Sequence, residues 1–228
     1  IQWRIKIMRW ESTILHNPAK AGTAIANIRA IKDYRATKTL AERLNQVKLS
    51  RDIKFMYLDV LIAIGGNVPV EAMLKCITMD PDEALRQRCL NQLRKWQSRS
   101  AMFFFISLLD GSDNQTVNNG GYALGELAMA DALLPLIKAL RTKHTYTLGG
   151  GNNVNANFSP NQPGLGGLNF GGKPKVVEQY MVNRSVHFAI LAIVPEGVNF
   201  GYDQDRWMQW YIRLNTPQNI NLRRDALK

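Results

Sequence analysis

Residues 33–66 read DYRATKTLAERLNQVKLSRDIKFMYLDVLIAIGG, and this stretch decides the fold. Asp33 is placed to cap a helix, and apolar residues then recur at helical spacing over 34–48. A second helical pattern covers 52–64, with Asp52 as its cap, and Gly65-Gly66 ends it. Two amphipathic helices joined by a short polar turn make one hairpin. Moved 32 residues along, the pattern returns: Leu40, Ala72, Phe104 and Leu136 fall in step. So do Ala41, Met73, Phe105 and Ile137, and then Leu44, Cys76, Leu108 and Leu140. In the second helix the rows are Ile53, Leu85 and Val117, then Leu58, Leu90 and Tyr122. A hairpin of this size cannot bury its apolar side alone, so copies must stack. The expected fold class is all-α: a right-handed α-solenoid (an α-α superhelix) of about four hairpins.

The flanking sequence divides around that array. Residues 1–20 read as an N-terminal capping segment and 21–215 as the repeat domain. In IQWRIKIMRWESTILH (1–16), Ile1, Trp3, Ile5 and Ile7 alternate as a strand would. Trp3, Ile7, Trp10 and Ile14 follow helical spacing over a longer span, and Asn17-Pro18 would end the helix, so a helix is preferred. Residues 21–32 read as the second helix of a partial unit. Full pairs follow at 70–79 with 82–96 and at 100–109 with 113–129, and Asp82 and Asp113 stand as caps. Pro81 sits at a helix start, where a missing N–H costs little.

Asp131 opens a further first helix, expected to run to about Lys143. Its second helix is delayed: Val186 lies 69 residues beyond Val117, so about 37 residues are inserted. The insertion, 144–182, is rich in Gly, Asn and Pro between two stretches of strand composition, 144–148 and 175–182. A two-stranded ribbon with a Gly/Asn tip is expected. The helix resumes over 183–194. A capping helix at 203–214, with Asp203 at its start and Trp207, Trp210, Tyr211 and Leu214 on one face, closes the array. A polar tail, 216–228, follows.

The charge is +11 over 228 residues, and it is unevenly placed. Residues 1–51 carry 11 Lys/Arg against 3 Asp/Glu, whereas 52–110 carry 7 of each. Basicity confined to one end favours anionic partners: an acidic protein surface, phosphates or lipid headgroups. No apolar run is long enough to span a bilayer. A start at Ile1 reads as a fragment or a processed product. Cys76 and Cys89 are too few for a disulfide framework and read as small buried side chains.

No nucleotide-binding, metalloprotease, redox or hydrolase motif occurs in the sequence. His16, His144 and His187 lie far apart without carboxylates at ligand spacing, so no metal and no cofactor is expected. Gly149, Gly150 and Gly151 precede no helix start and so make no phosphate cradle. A polar position repeats through the second helices as Lys54, Arg86, Asn118 and His187. That ladder reads two ways: as a surface for an extended or acidic partner, or as a means of tying helix starts to the turns of the neighbouring unit. The insertion supplies further candidate contacts in Tyr146, Asn152, Asn153, Phe158 and Phe170.

The stretches 33–66, 80–96 (DPDEALRQRCLNQLRKW) and 116–140 (TVNNGGYALGELAMADALLPLIKAL) resemble HEAT-type repeats over most of 21–215. They share a short acidic turn, an AxxxLxxxL first helix and a basic or polar residue ahead of an apolar second helix. Arg86 stands where many HEAT units carry Arg. The 32-residue period and the closing NFGYDxxxWxxWY are similar to features of bacterial HEAT-repeat proteins. The resemblance implies a non-catalytic protein-interaction scaffold and little more; a protein partner and a place in a larger assembly are expected beside it. Some HEAT-like solenoids excise damaged bases using concave aromatics, a carboxylate and basic residues. Here the tryptophans concentrate at element ends and the charge does not follow the repeats. A nucleic-acid binder is therefore the second expectation. A membrane-surface adaptor held by the basic, Trp-bearing first helix is the third.

Overall fold

The computed structural model describes residues 2–148, 155–156, 168–169 and 175–217. The chain is mostly helical, as the periodicity predicts. Helices α1 (Gln2–His16) and α2 (Pro18–Arg29) form a first hairpin, joined at Asn17, whose side-chain oxygen accepts the Lys20 N–H. Helices α3 (Thr37–Leu44) and α4 (Arg51–Ile64), α5 (Asn67–Met79) and α6 (Glu83–Lys95), and α7 (Arg99–Leu108) and α8 (Asn114–Leu127) form three more. Helix α9 (Leu133–Lys138) pairs with α10 (Arg184–Ile193) across the insertion, and α11 (Gln204–Asn215) packs on α9. First helices lie side by side in the order α1, α3, α5, α7, and second helices in the order α2, α4, α6, α8, α10. Each hairpin therefore buries its apolar side against the next.

The sequence rows become the core. Leu40, Leu136, Met73, Ile137, Leu44, Cys76 and Leu140 are all fully buried. Each such large aliphatic side chain removed from water stabilises the stack by about 1.5–3 kcal/mol. Phe104 meets the core partly, with Phe105 edge-on at 5.2 Å filling the space beneath. Helices α8 and α10 approach closely. A Cβ at Gly121 would stand 2.7–2.9 Å from the side chain and backbone of Val186. One at Gly125 would stand 3.1 Å from the Cα of Ala189.

Several boundaries differ from expectation. The 34–48 helix begins as a 3-10 turn (Tyr34–Ala36) and α3 stops at Leu44. There the Asn45 amide donates to Ala41 O at 3.0 Å and to Ala72 O at 3.3 Å, closing the helix end. Asp52 is not a cap: it lies in the first turn of α4, behind Ser50 at the cap position. Asp82, Asp113 and Asp203 do cap, accepting the N–H groups of Ala84 and Leu85, of Thr116 and of Arg206. Pro81 lies just outside α6, before its cap. The helix opening near Asp131 ends at Lys138, not Lys143. The chain turns instead into β1 (Arg141–Leu148), whose Thr and Tyr residues favour a strand and which pairs antiparallel with β4 (Lys175–Val182). A second short pair, β2 (Asn155–Ala156) with β3 (Leu168–Asn169), lies between them. In α11, Trp207 is fully buried and donates to Gly201 O at 2.9 Å, but Leu214 is exposed. The inner face of that lid thus ends at Tyr211.

Candidate partner-binding surface

The repeated polar position lies where consecutive units meet. Lys54 is buried and its Nζ donates to the equally buried Asp80 carboxylate in the α5–α6 turn of the next hairpin. Asp80 Oδ1 in turn accepts the Asp82 N–H at 3.0 Å, so the ion pair also fixes that turn. Arg86 donates to the carbonyls of Asp80 and Pro81 at 2.8 and 3.0 Å. Asn118 donates to Asn114 O at 2.9 Å and to Asn183 Oδ1 at 3.0 Å, and accepts the Ser185 N–H at 2.9 Å. His187 lies 3.2 Å from Asn199 Oδ1, with its ring 4.9 Å from that of Tyr202. These four residues thus tie helix starts to turns, within or between units. Of the insertion residues, Tyr146 lies in β1 but its side chain is not among those described, and Asn152, Asn153, Phe158 and Phe170 lie outside the described residues.

A polar cluster joins the ribbon to the helices. Asn183, fully buried, donates to Ala139 O and Thr142 Oγ1 at 2.8 Å, while its oxygen accepts from Asn114 and Asn118. His144, also buried, sits 2.7 Å from Thr142 Oγ1 and 3.1 Å from Ser112 O. Burying so many polar atoms is tolerated because each is hydrogen-bonded. Cys76 and Cys89 are buried free thiols. Contact with Cys76, together with burial, pushes the Cys89 thiol far up, which makes it a poor nucleophile.

Between the second and third of these repeat joints, α5–α6 and α7–α8 part to leave an open groove of about 540 Å³. Its apolar floor is Leu90, Phe105, Leu108 and Ala123. Its rim carries Glu83, Arg86, Gln87, Asn119 and Tyr122. Tyr122 donates to Gln87 Oε1 at 2.9 Å and Gln87 donates to Glu126 at 2.8 Å, a chain that ties α8 to α6 across the groove. Met79 and Tyr122 are exposed at the mouth. An apolar base with a hydrogen-bonding rim suits a side chain presented by a partner.

The basic end is organised by two internal carboxylates. Glu11, on the inner face of α1, accepts from Arg43 of α3 through both oxygens and from Tyr57 of α4 at 2.7 Å. Burial, and then the neighbouring Glu11 carboxylate, push the Tyr57 phenol up, so it stays a donor. Asp33 accepts the Arg35 guanidinium, the Arg35 backbone N–H and, at 2.9 Å, the Trp3 indole, which together hold its carboxyl well below the usual range. Glu11 and Asp33 are therefore taken up internally, and Glu42 is the remaining carboxylate of residues 2–51. Arg4, Lys6, Arg9, Lys20 and Lys38 are exposed and make no ion pair among the described residues, so this end is strongly positive.

The sequence rows point to the ladder but not to the groove or to the Glu11 lock. A signal for the lock exists: Glu11 falls on the Trp3–Ile7–Trp10–Ile14 face of α1, and a carboxylate there demands a cation, supplied by Arg43 32 positions on. Among the described residues no cluster of His, Cys, Asp and Glu could hold a metal, and no helix is long and apolar enough to cross a membrane. Neither a family model nor a curated protein matches this chain.

Proposed function

We propose that this chain is a HEAT-like α-solenoid that works as a non-catalytic protein-interaction scaffold. The observation that carries the reading is the groove between α5–α6 and α7–α8, which opens an apolar floor inside a polar rim at a joint of the stack. Scaffolds of stacked hairpins recognise partners through such inter-unit surfaces. The α5–α6 turn beside it is held by the Lys54–Asp80 pair and the Arg86 bonds, so that side of the groove is preformed. The ladder thus supports the surface and leaves partner contact to the rim, where Arg86 also stands.

The unpaired cations of the first two hairpins favour an acidic partner and also support a second reading, nucleic-acid binding. The membrane-surface reading has less support, because Trp3 and Trp10 pack against the core, and it keeps only the exposed basic residues of α1. The test is affinity capture from the native source with the wild-type chain and with Tyr122→Arg, which fills the groove mouth. The scaffold reading expects a protein retained by the wild type and lost from the variant. Retention of nucleic acid instead, with affinity falling steeply as salt rises, or equal capture by both chains, would overturn it.

A further inference from the structure

We propose that the outward face of α1 seats an acidic amphipathic helix of a partner protein. The proposal rests on the scaffold reading and names a partner class and a surface for it. Helix α1 has two apolar stripes. The inner one, Trp3, Ile7, Trp10 and Ile14, packs into the core. The outer one is Ile5, Met8 and Leu15, which are 63%, 46% and 51% exposed. Their spacing of three and then seven keeps them on one side of a helix, with Ser12 between. By the same geometry Arg4 borders this stripe on one side, and Arg9 and then Lys6 border it on the other. Lys6 Nζ lies over the Trp3 ring at 5.2 Å, and none of the three cations has a carboxylate partner among the described residues.

The length of the stripe indicates what fits there. Ile5 to Leu15 covers about 15 Å along α1. A helix of about three turns is the shape that covers such a stripe, with its apolar side on Ile5, Met8 and Leu15. Charge then selects the helix. Basic flanks beside an apolar seam pair with Glu or Asp at the matching flanks of the partner. A second copy of this chain would set Arg4, Lys6 and Arg9 against their own counterparts. A lipid surface would be met without the two tryptophans, the side chains best suited to the interface, because both face inward.

The experiment uses the full chain and two synthetic three-heptad peptides with Leu and Ile on one face. One carries Glu on both flanks and the other Lys. Binding is read by fluorescence anisotropy at low salt, beside vesicles of phosphatidylserine and phosphatidylcholine and sedimentation of the chain alone. The Glu-flanked peptide is expected to bind more tightly by about tenfold or more, the order of a few flank ion pairs. Ile5→Ser/Met8→Ser should abolish that binding, and Arg4→Glu/Arg9→Glu should transfer the preference to the Lys-flanked peptide. All four sites are exposed, and an unchanged circular dichroism spectrum verifies the fold. Equal affinity for the two peptides, or a preference that survives the charge reversal, would overturn the proposal. So would vesicle binding or self-association that is lost in the Ile5→Ser/Met8→Ser variant. If the peptides fail while Tyr122→Arg still abolishes capture, the α1 seat alone is wrong and the scaffold reading stands.

Discussion

Replacing Gly121 by Ala should destabilise the protein, although helix propensity argues the other way. Gly121 lies inside α8, where exchanging Gly for Ala is worth about 0.8–1.0 kcal/mol in favour of the helix. The new Cβ would stand 2.7 Å from Val186 Cγ2, 2.8 Å from Val186 N and 2.9 Å from Val186 Cα. Two of those atoms are backbone, so α10 as a whole must move, and overpacking of this kind costs about 1–3 kcal/mol or more. The balance is a net loss of up to about 2 kcal/mol, or a Tm lower by up to roughly 4–8 °C in a chain of this size. Gly22, inside α2, is the control: a Cβ there meets nothing within 4 Å. Gly22→Ala should therefore raise stability by about 0.8 kcal/mol. Urea unfolding followed by circular dichroism reads both. A Gly121→Ala chain as stable as Gly22→Ala would refute the close packing of α8 on α10.

Further outcomes follow from the buried polar groups. Lys54→Met leaves the Asp80 carboxylate buried without its cation and should cost about 3–5 kcal/mol, whereas Lys54→Met/Asp80→Asn should recover most of it; a double-mutant cycle in urea measures the coupling. Because the folded state raises the Tyr57 phenol above its ordinary value, that group's contribution is complete below about pH 10 and is lost as pH climbs further. The alkaline fall in Tm should therefore flatten in Tyr57→Phe. Asp113 is held low, first by the Thr116 N–H and then by the Thr116 hydroxyl, so its contribution is present above about pH 4 and lost as pH falls below that; Asp113→Asn should shrink the acid limb of the Tm–pH curve. Removing the Asp82 cap with Asp82→Ala should cost about 1 kcal/mol, read in the same urea assay.

The helical hairpins were legible because burial imposes a period that composition cannot hide: Leu40, Met73, Leu85 and Leu136 must recur wherever one unit meets the next. Ends were less legible. Asn45 closes α3 early by reaching Ala72 of the following unit, a contact 27 positions away that local propensity cannot contain. The ladder was visible as a row, but its direction was not. Lys54 and Arg86 occupy the same register, yet the first is buried on a carboxylate and the second reaches turn carbonyls at the groove rim. Tyr122 falls in the row of Leu58 and Leu90 but stands half exposed, since its hydroxyl bonds to Gln87 at the surface. The groove exists because two hairpins part at that point, which no single segment specifies.

Everything proposed for this chain depends on consecutive two-helix units lying one step apart. Spin labels at Arg51 and Gln115, exposed positions two periods apart in the first turns of α4 and α8, measure that step by pulsed dipolar spectroscopy. Two interhelical steps of 8–10 Å predict one narrow distribution centred on the order of 20 Å, widened by a few ångströms of label linker. A broad distribution, or one centred beyond about 35 Å, is incompatible with two packed steps and would contradict the stack.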